Sequence, residues 1–186
     1  MLKTRFAELA VEAGMVVFAV LVAFAVEEWR EERQLVEFAD RARAAVEAEM
    51  QANVQEFEAT AVALDSVRAL LGRVVSSGDP TLLGGSLAFS LPEPSSAAWQ
   101  AAQGSVAAPY LDYGWVIRAS RAYEVSATYA RVAERAIDDM SAVIGIGATV
   151  ETITPVYGRL VILSDMHEQV RDRFQALLDE EPPPNP

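Results

Sequence analysis

The chain carries one histidine, His167, and no cysteine. A lone imidazole can ligate a metal, shuttle a proton or sit in a core, and its neighbours decide which. A di-iron bundle needs Glu-x-x-His, and Ser164 stands where that glutamate belongs. A zincin needs a second histidine four residues on, and Arg171 stands there. His167 lies one turn from Leu163 and Val170, which makes it a satisfied core or bundle-edge histidine. Among carboxylates, Glu27, Glu28, Glu31 and Glu32 form i,i+4 pairs interleaved with Arg30 and Arg33. That mixture describes a solvated collar rather than a cation site. Asp138 and Asp139 are adjacent, so they diverge on a helix and make a poor acid/base pair. Gly145-x-Gly147 lacks the third glycine of a dinucleotide loop. Without cysteine there is no thiolate catalysis, no disulfide and no Cys-based metal or haem site. These residues predict no catalytic group, no metal site and no cofactor: the chain reads as a non-enzyme.

Two further sets of residues suit recognition. Asn53, Thr60 and Ser126 fall on otherwise apolar rows, where polar residues fix register. Trp99, Tyr110, Tyr113 and Trp115 cluster outside the regular rows. Such a group either caps the open end of a bundle or forms a docking surface, since Trp and Tyr dominate binding hot spots. The cap is the bland reading, and the functional one makes these four residues a candidate docking surface.

The elements that would hold these residues follow from 3-4 spacing of apolar positions. One row runs Val46, Met50, Asn53, Phe57, Thr60, Leu64, Val67, Leu71, Val74. A second runs Val116, Ala119, Tyr123, Ser126, Ala130, Ala133, Ile137, Met140, Ile144. A third runs Ile153, Val156, Leu160, Leu163, His167, Val170, Phe174, Leu177. The predicted fold is all-α: an N-terminal transmembrane helix, then an antiparallel bundle of three long helices plus one short helix. The second row is rich in Ala and Ser and suits close backbone approach, with larger residues opposite it. No Gly or Pro lies between Met15 and Leu71, so the first helix can be continuous with the anchor. It should stop near Gly78-Asp79-Pro80. A Gly/Pro/Ser-rich connector over 78–108 holds a short helix capped by Ser95-Ser96 and ended by Gly104. Pro109 suits the opening turn of the next long helix. Residues 180–186 (EEPPPNP) read as an extended tail. The domain plan is anchor and collar 1–33, bundle 34–179, tail 180–186.

Location is written in the stretch Ala13–Val26, AGMVVFAVLVAFAV, followed at once by EEWREER. Fourteen helical residues rise about 21 Å, short of a hydrocarbon core of roughly 30 Å. Starting at Phe6 brings the length to about 31 Å and includes Glu8 and Glu12 in the first turns. The eight Val, Leu and Phe residues from Val16 to Val26 favour insertion by roughly 2–5 kcal/mol, and a charge near the end costs less than the ~3 kcal/mol at the centre. Insertion wins. Trp29 falls at interfacial depth. Val26-Glu27-Glu28-Trp29 is a poor signal-peptidase site, so the leader is expected to stay attached. Glu8, Glu12, Ala19 and Ala23 share one face, which predicts packing on a partner helix. The net charge of −12 repels phosphate backbones and predicts no nucleic-acid partner.

The stretches GMVVFAVLVAFAVEEWREER (Gly14–Arg33) and SAAWQAAQGSVAAPYLDYGWVIRASRAYEVSATY (Ser96–Tyr129) together resemble uncharacterised bacterial single-span membrane proteins. Those proteins have an anchor ending in a Trp-containing charged stretch. A helical domain follows, with a W-x-x-x-x-x-G turn and a Tyr-rich helix. Trp99 and Gly104 match the turn loosely, and Tyr110, Tyr113, Tyr123 and Tyr129 match the helix. The resemblance implies an inner-membrane, single-pass protein with a periplasmic helical body, and it carries no catalytic residues. A strict Lys/Arg count would put the body in the cytoplasm. Together these features predict an accessory subunit whose partners are the lipid bilayer and other integral membrane subunits, as in respiratory or photosynthetic reaction-centre and antenna assemblies. The alternative is a membrane-anchored ligand-sensing bundle.

Overall fold

The computed structural model describes residues 2–84 and 90–180, with side chains from Gly14 onward apart from 144–146. All regular elements among them are helical. α1 spans Leu2–Ser77, α2 Ala97–Gln103, α3 Tyr113–Ile146 and α4 Val150–Leu178, with 3-10 turns at Pro80–Leu83 and Ala108–Tyr110. The 76 residues of α1 make a rod of about 114 Å.

Each boundary has a local cause. α1 ends at Gly78, whose φ of +72° only glycine adopts without strain. Gly147 closes α3 at φ +104° and ψ 136°, another conformation that side chains disfavour, with its amide bonded to the Val143 carbonyl. Asp112 opens α3 by accepting a hydrogen bond from the Trp115 amide at 2.6 Å. Pro109 therefore does not open the long helix. It belongs to the preceding 3-10 turn, and the connector runs on to Asp112. Thr149 and Thr152 form a reciprocal capping box at the start of α4. Pro155 lies inside α4 and removes one intrahelical donor there.

Helix directions follow from who touches whom. Along α1 and α3, Arg43 stacks on Trp115, Glu49 meets Tyr123, and Phe57 meets Tyr129. Both numbers rise together, so α1 and α3 run parallel. Along α4 the order reverses: Tyr157 lies by Gly72, His167 by Phe57 and Phe174 by Tyr123. The antiparallel bundle expected from the sequence thus holds for α4 against both neighbours but not for α1 against α3. The cause is the 35-residue connector Gly78–Asp112. It returns from Ser77 to the level of Glu49, about 42 Å back along α1. The backbones of α1 and α3 each pack closely on α4. Across the remaining α1–α3 interface, long aromatic side chains bridge the gap.

The core rows of α1 and α4 are buried as the sequence indicates, with Thr60 half-buried. The α3 row is displaced. Ala122, Tyr129, Ala136 and Val143 are buried, whereas Ala130 and Ile137 are exposed and Val116 is half-buried. The side chain of Ile144 lies outside the described residues. Close approach of α4 favours the alanine column, and Tyr129 fills the wider α1 side against Phe57.

Below the bundle α1 stands free. Every described residue from Gly14 to Gln34 is exposed, and the first buried one is Ala39. Among the described residues no helix is long and apolar enough to cross a membrane. The apolar positions with described side chains begin at Gly14 and end at Val26. Glu8, Glu12 and residues 181–186 of the tail lie outside the described side chains.

Candidate functional site

Glu49, Asn53 and Glu56 are spaced four and three along α1, so they form one polar strip, with buried Asn53 on the apolar row and the two half-buried glutamates at its edge. The returning connector binds to that strip. Glu49 Oε2 accepts from Ser95 Oγ at 2.7 Å and from the Ala98 amide at 2.9 Å. Its Oε1 accepts from the Trp99 amide at 3.2 Å and from Tyr123 Oη at 2.8 Å. Asn53 pairs doubly with the Ser95 backbone, donating to its carbonyl and accepting from its amide, both at 2.9 Å. Glu56 accepts from the Glu93 amide at 2.9 Å. Ser96, the residue before α2, makes no side-chain cap. A carboxylate from another helix does that work instead, which satisfies orphan amides of the first turn.

The protonation states follow. Burial pushes the Glu49 carboxyl up, but bonds from Ser95, Ala98, Tyr123 and Trp99 together outweigh it and hold it below the ordinary range. Burial, reinforced by the Glu49 hydrogen bond and charge, drives the Tyr123 phenol far above its usual value. At neutral pH the pair is therefore carboxylate acceptor and phenol donor.

The aromatics gather around this junction. Trp99 stacks on Tyr123 with centroids 5.3 Å apart and planes 2° from parallel. Trp115 meets Trp99 edge-on at 6.2 Å, and the Arg43 guanidinium covers Trp115 at 5.1 Å. Trp99 and Trp115 are buried, at 5% and 1% exposure, whereas Tyr110 and Tyr113 are exposed. The docking surface expected from these four residues is therefore divided. The tryptophans fill the α1–α3 gap as core, and only the two tyrosines face outward. Sequence reasoning placed Asn53 and Tyr123 on apolar rows but missed Glu49, and with it the bond that Tyr123 makes. The available signal was the polar 49-53-56 strip along an apolar row.

A second polar layer lies deeper. His167 Nε2 donates to the Phe57 carbonyl at 2.7 Å, which assigns the proton to Nε2. His167 Nδ1 and Tyr129 Oη are both buried without a hydrogen-bond partner. Their rings and Phe57 pack edge-to-face. Burial pushes the His167 pKa down. The bond to Phe57 opposes this, Arg171 adds to it, and Asp65 and Glu168 work weakly against it. A histidine kept neutral in the fold gives an unfolded chain that binds more protons, so stability falls as pH drops below about 6.5. Thermal unfolding of the full chain in mild detergent should show a lower midpoint at pH 5.5 than at pH 7.5. His167→Phe should flatten that difference, since no other side chain ordinarily titrates there.

An open groove of about 500 Å³ separates α2 from α3. Trp99, Tyr123 and Ser126 line it with Gln100, Gln103 and Glu124. Among the described residues no group of three or more His, Cys, Asp or Glu side chains is placed to hold a metal ion.

At the other end of α1, Trp29 is exposed and carries the Arg33 guanidinium over its ring at 4.7 Å. Ala19 and Ala23 are exposed on the free rod. Compared with family models, curated proteins and solved structures, the chain matches none.

Proposed function

We propose that this chain is a non-catalytic accessory subunit of a bacterial inner-membrane complex. Its α1 holds it in the bilayer, and its acidic bundle braces partner subunits, on the periplasmic side by the resemblance. The observation that carries the reading is the exposure of Gly14–Val26 around the whole helix. Phe18 and Phe24 are each 68% exposed. An all-round apolar helix is unfavourable in water and belongs in a bilayer or against other helices. With Phe6–Ala13 it reaches about 31 Å, enough to span. Trp29, with Arg33 across it, suits the interface. Tyr110 and Tyr113 remain as the exposed aromatics of the body and suit protein contact.

The test is purification of a tagged chain from its native membranes in mild detergent. Integral membrane proteins in fixed stoichiometry should elute with it. Elution of this chain without them contradicts the accessory role. The ligand-sensing alternative draws support from the α2–α3 groove. Against it, the polar groups of Asn53, Thr60 and His167 bond to backbone within the bundle rather than converge on a shared space.

A further inference from the structure

In a chain of net charge −12, three arginines converge on one cleft. Arg118 and Arg121 of α3 and Arg173 of α4 line an open hollow of about 220 Å³ over the buried Ala122 and Leu177, with Glu180 at its rim. Arg118 and Arg121 are three apart, so they are surface neighbours of like charge, which costs helix stability. Glu180 accepts from Arg118 at 2.6 Å. Among the described residues Arg121 and Arg173 form no ion pair. The other carboxylates of this end are committed elsewhere: Asp112 caps α3, Asp172 pairs with Arg171, and Asp179 accepts from Gln175. Three guanidiniums against one carboxylate leave the cleft positive, although the chain has 27 acidic residues to its 15 basic ones. Backbone and side chain are fitted to each other here as well. The Arg118 guanidinium lies over Gly114, where an added Cβ would come 3.2 Å from its Nη1.

We infer that this cleft binds a free oxyanion of two or more negative charges, a phosphate ester or a diphosphate. Guanidiniums present forked donors that match phosphate oxygens, and a multivalent anion answers all three at once. Glu180 marks where an oxyanion fits against Arg118. It lies beyond the end of α4 at Leu178, so it can swing aside without unfolding a turn of helix. Height decides between a free phosphate and a lipid headgroup. Trp115 meets Arg43 and Tyr123 meets Glu49, so the cleft lies level with Arg43 to Glu49 on α1. That is about 25 Å or more beyond Val26, past a headgroup layer of roughly 5–8 Å. Only this choice of a free ligand rests on the membrane reading.

The test is calorimetric titration of the full chain, in nanodiscs of neutral lipid, with pyrophosphate. One pyrophosphate should bind per chain, more weakly as salt rises. Arg121→Gln and Arg173→Gln should each weaken binding about tenfold. Both side chains are exposed, so neither change threatens the fold. Arg131→Gln, exposed on α3 outside the cleft, should leave binding unchanged. Glu180→Gln removes the competing carboxylate and should tighten binding about threefold. No binding, several ions per chain, or an equal loss with Arg131→Gln overturns the site. Anionic phospholipid in place of neutral lipid, without pyrophosphate, should not raise the thermal midpoint. A rise that Arg121→Gln abolishes makes the ligand a lipid headgroup and overturns the free anion. A chain that stays outside the discs counts against the anchor alone, and its titration with pyrophosphate is read in the same way.

Discussion

Replacing Glu49 with alanine is expected to undock α2 and cost the bundle about 2–4 kcal/mol, because four donors lose a charged acceptor at once. Tyr123 is the most affected, since its hydroxyl is held in a largely buried side chain. Trp99 loses its amide partner and the tyrosine plane it stacks on. Tryptophan emission should shift to the red, and the amides of Ala98 and Trp99 should exchange with solvent far faster. Glu49→Gln keeps one acceptor oxygen and loses the charge, so it should cost about half as much. Glu58→Ala, on the exposed side of the same helix, should stay within about 0.5 kcal/mol. Unchanged emission in Glu49→Ala would refute the junction. The same carboxylate gives an acid signature separate from that of His167. Its pKa is held below 4.5 in the fold, so its contribution is complete above that value and is lost as pH falls through the lower one. Two steps are expected on acidification: a gradual loss below about 6.5 from His167, then a second below 4.5 in which Glu49 takes part.

Placing arginine at Leu21 should release the chain from membranes. On the insertion scale the exchange swings by about 3–4 kcal/mol, comparable with the whole of the roughly 2–5 kcal/mol the run supplies. A few-hundred-fold fall in the inserted fraction follows. After an alkaline wash, the wild-type chain should sediment with membranes and Leu21→Arg should stay largely in the supernatant. Arginine at Val62, exposed on the bundle, should leave sedimentation unchanged. Equal retention of all three proteins would mean that the run is not what holds the chain to the bilayer.

The rows on α1 and α4 were legible because large residues repeat there without competition. On α3 two rows were available, sharing Ala119, Ser126, Ala133 and Met140. One adds Tyr123, Ala130 and Ile137; the other adds Ala122, Tyr129 and Ala136. Ile137 looks like core and Ala136 does not, yet Ala136 is buried and Ile137 is half in solvent. Which row faces inward depends on how near α4 comes, and a single helix does not encode that distance. Which of the two readings of the tryptophans, cap or docking surface, applies was not legible for a related reason. Periodicity says nothing about a connector that doubles back. Only that return brings Trp99 and Trp115 into the α1–α3 gap. Glu49 was invisible for the same cause: its partners lie 46 to 74 residues away. The apolar run, by contrast, needed no tertiary information, because its character is uniform around the helix.

The account stands on the apolar stretch of α1 lying in lipid, and one labelling measurement reaches that directly. The full chain with Leu21→Cys, spin-labelled and reconstituted in liposomes, should be relaxed by oxygen and shielded from an aqueous nickel chelate. The same label at Val62→Cys should show the reverse preference. If the chelate reaches position 21 as freely as position 62, the helix is in water and the account is wrong.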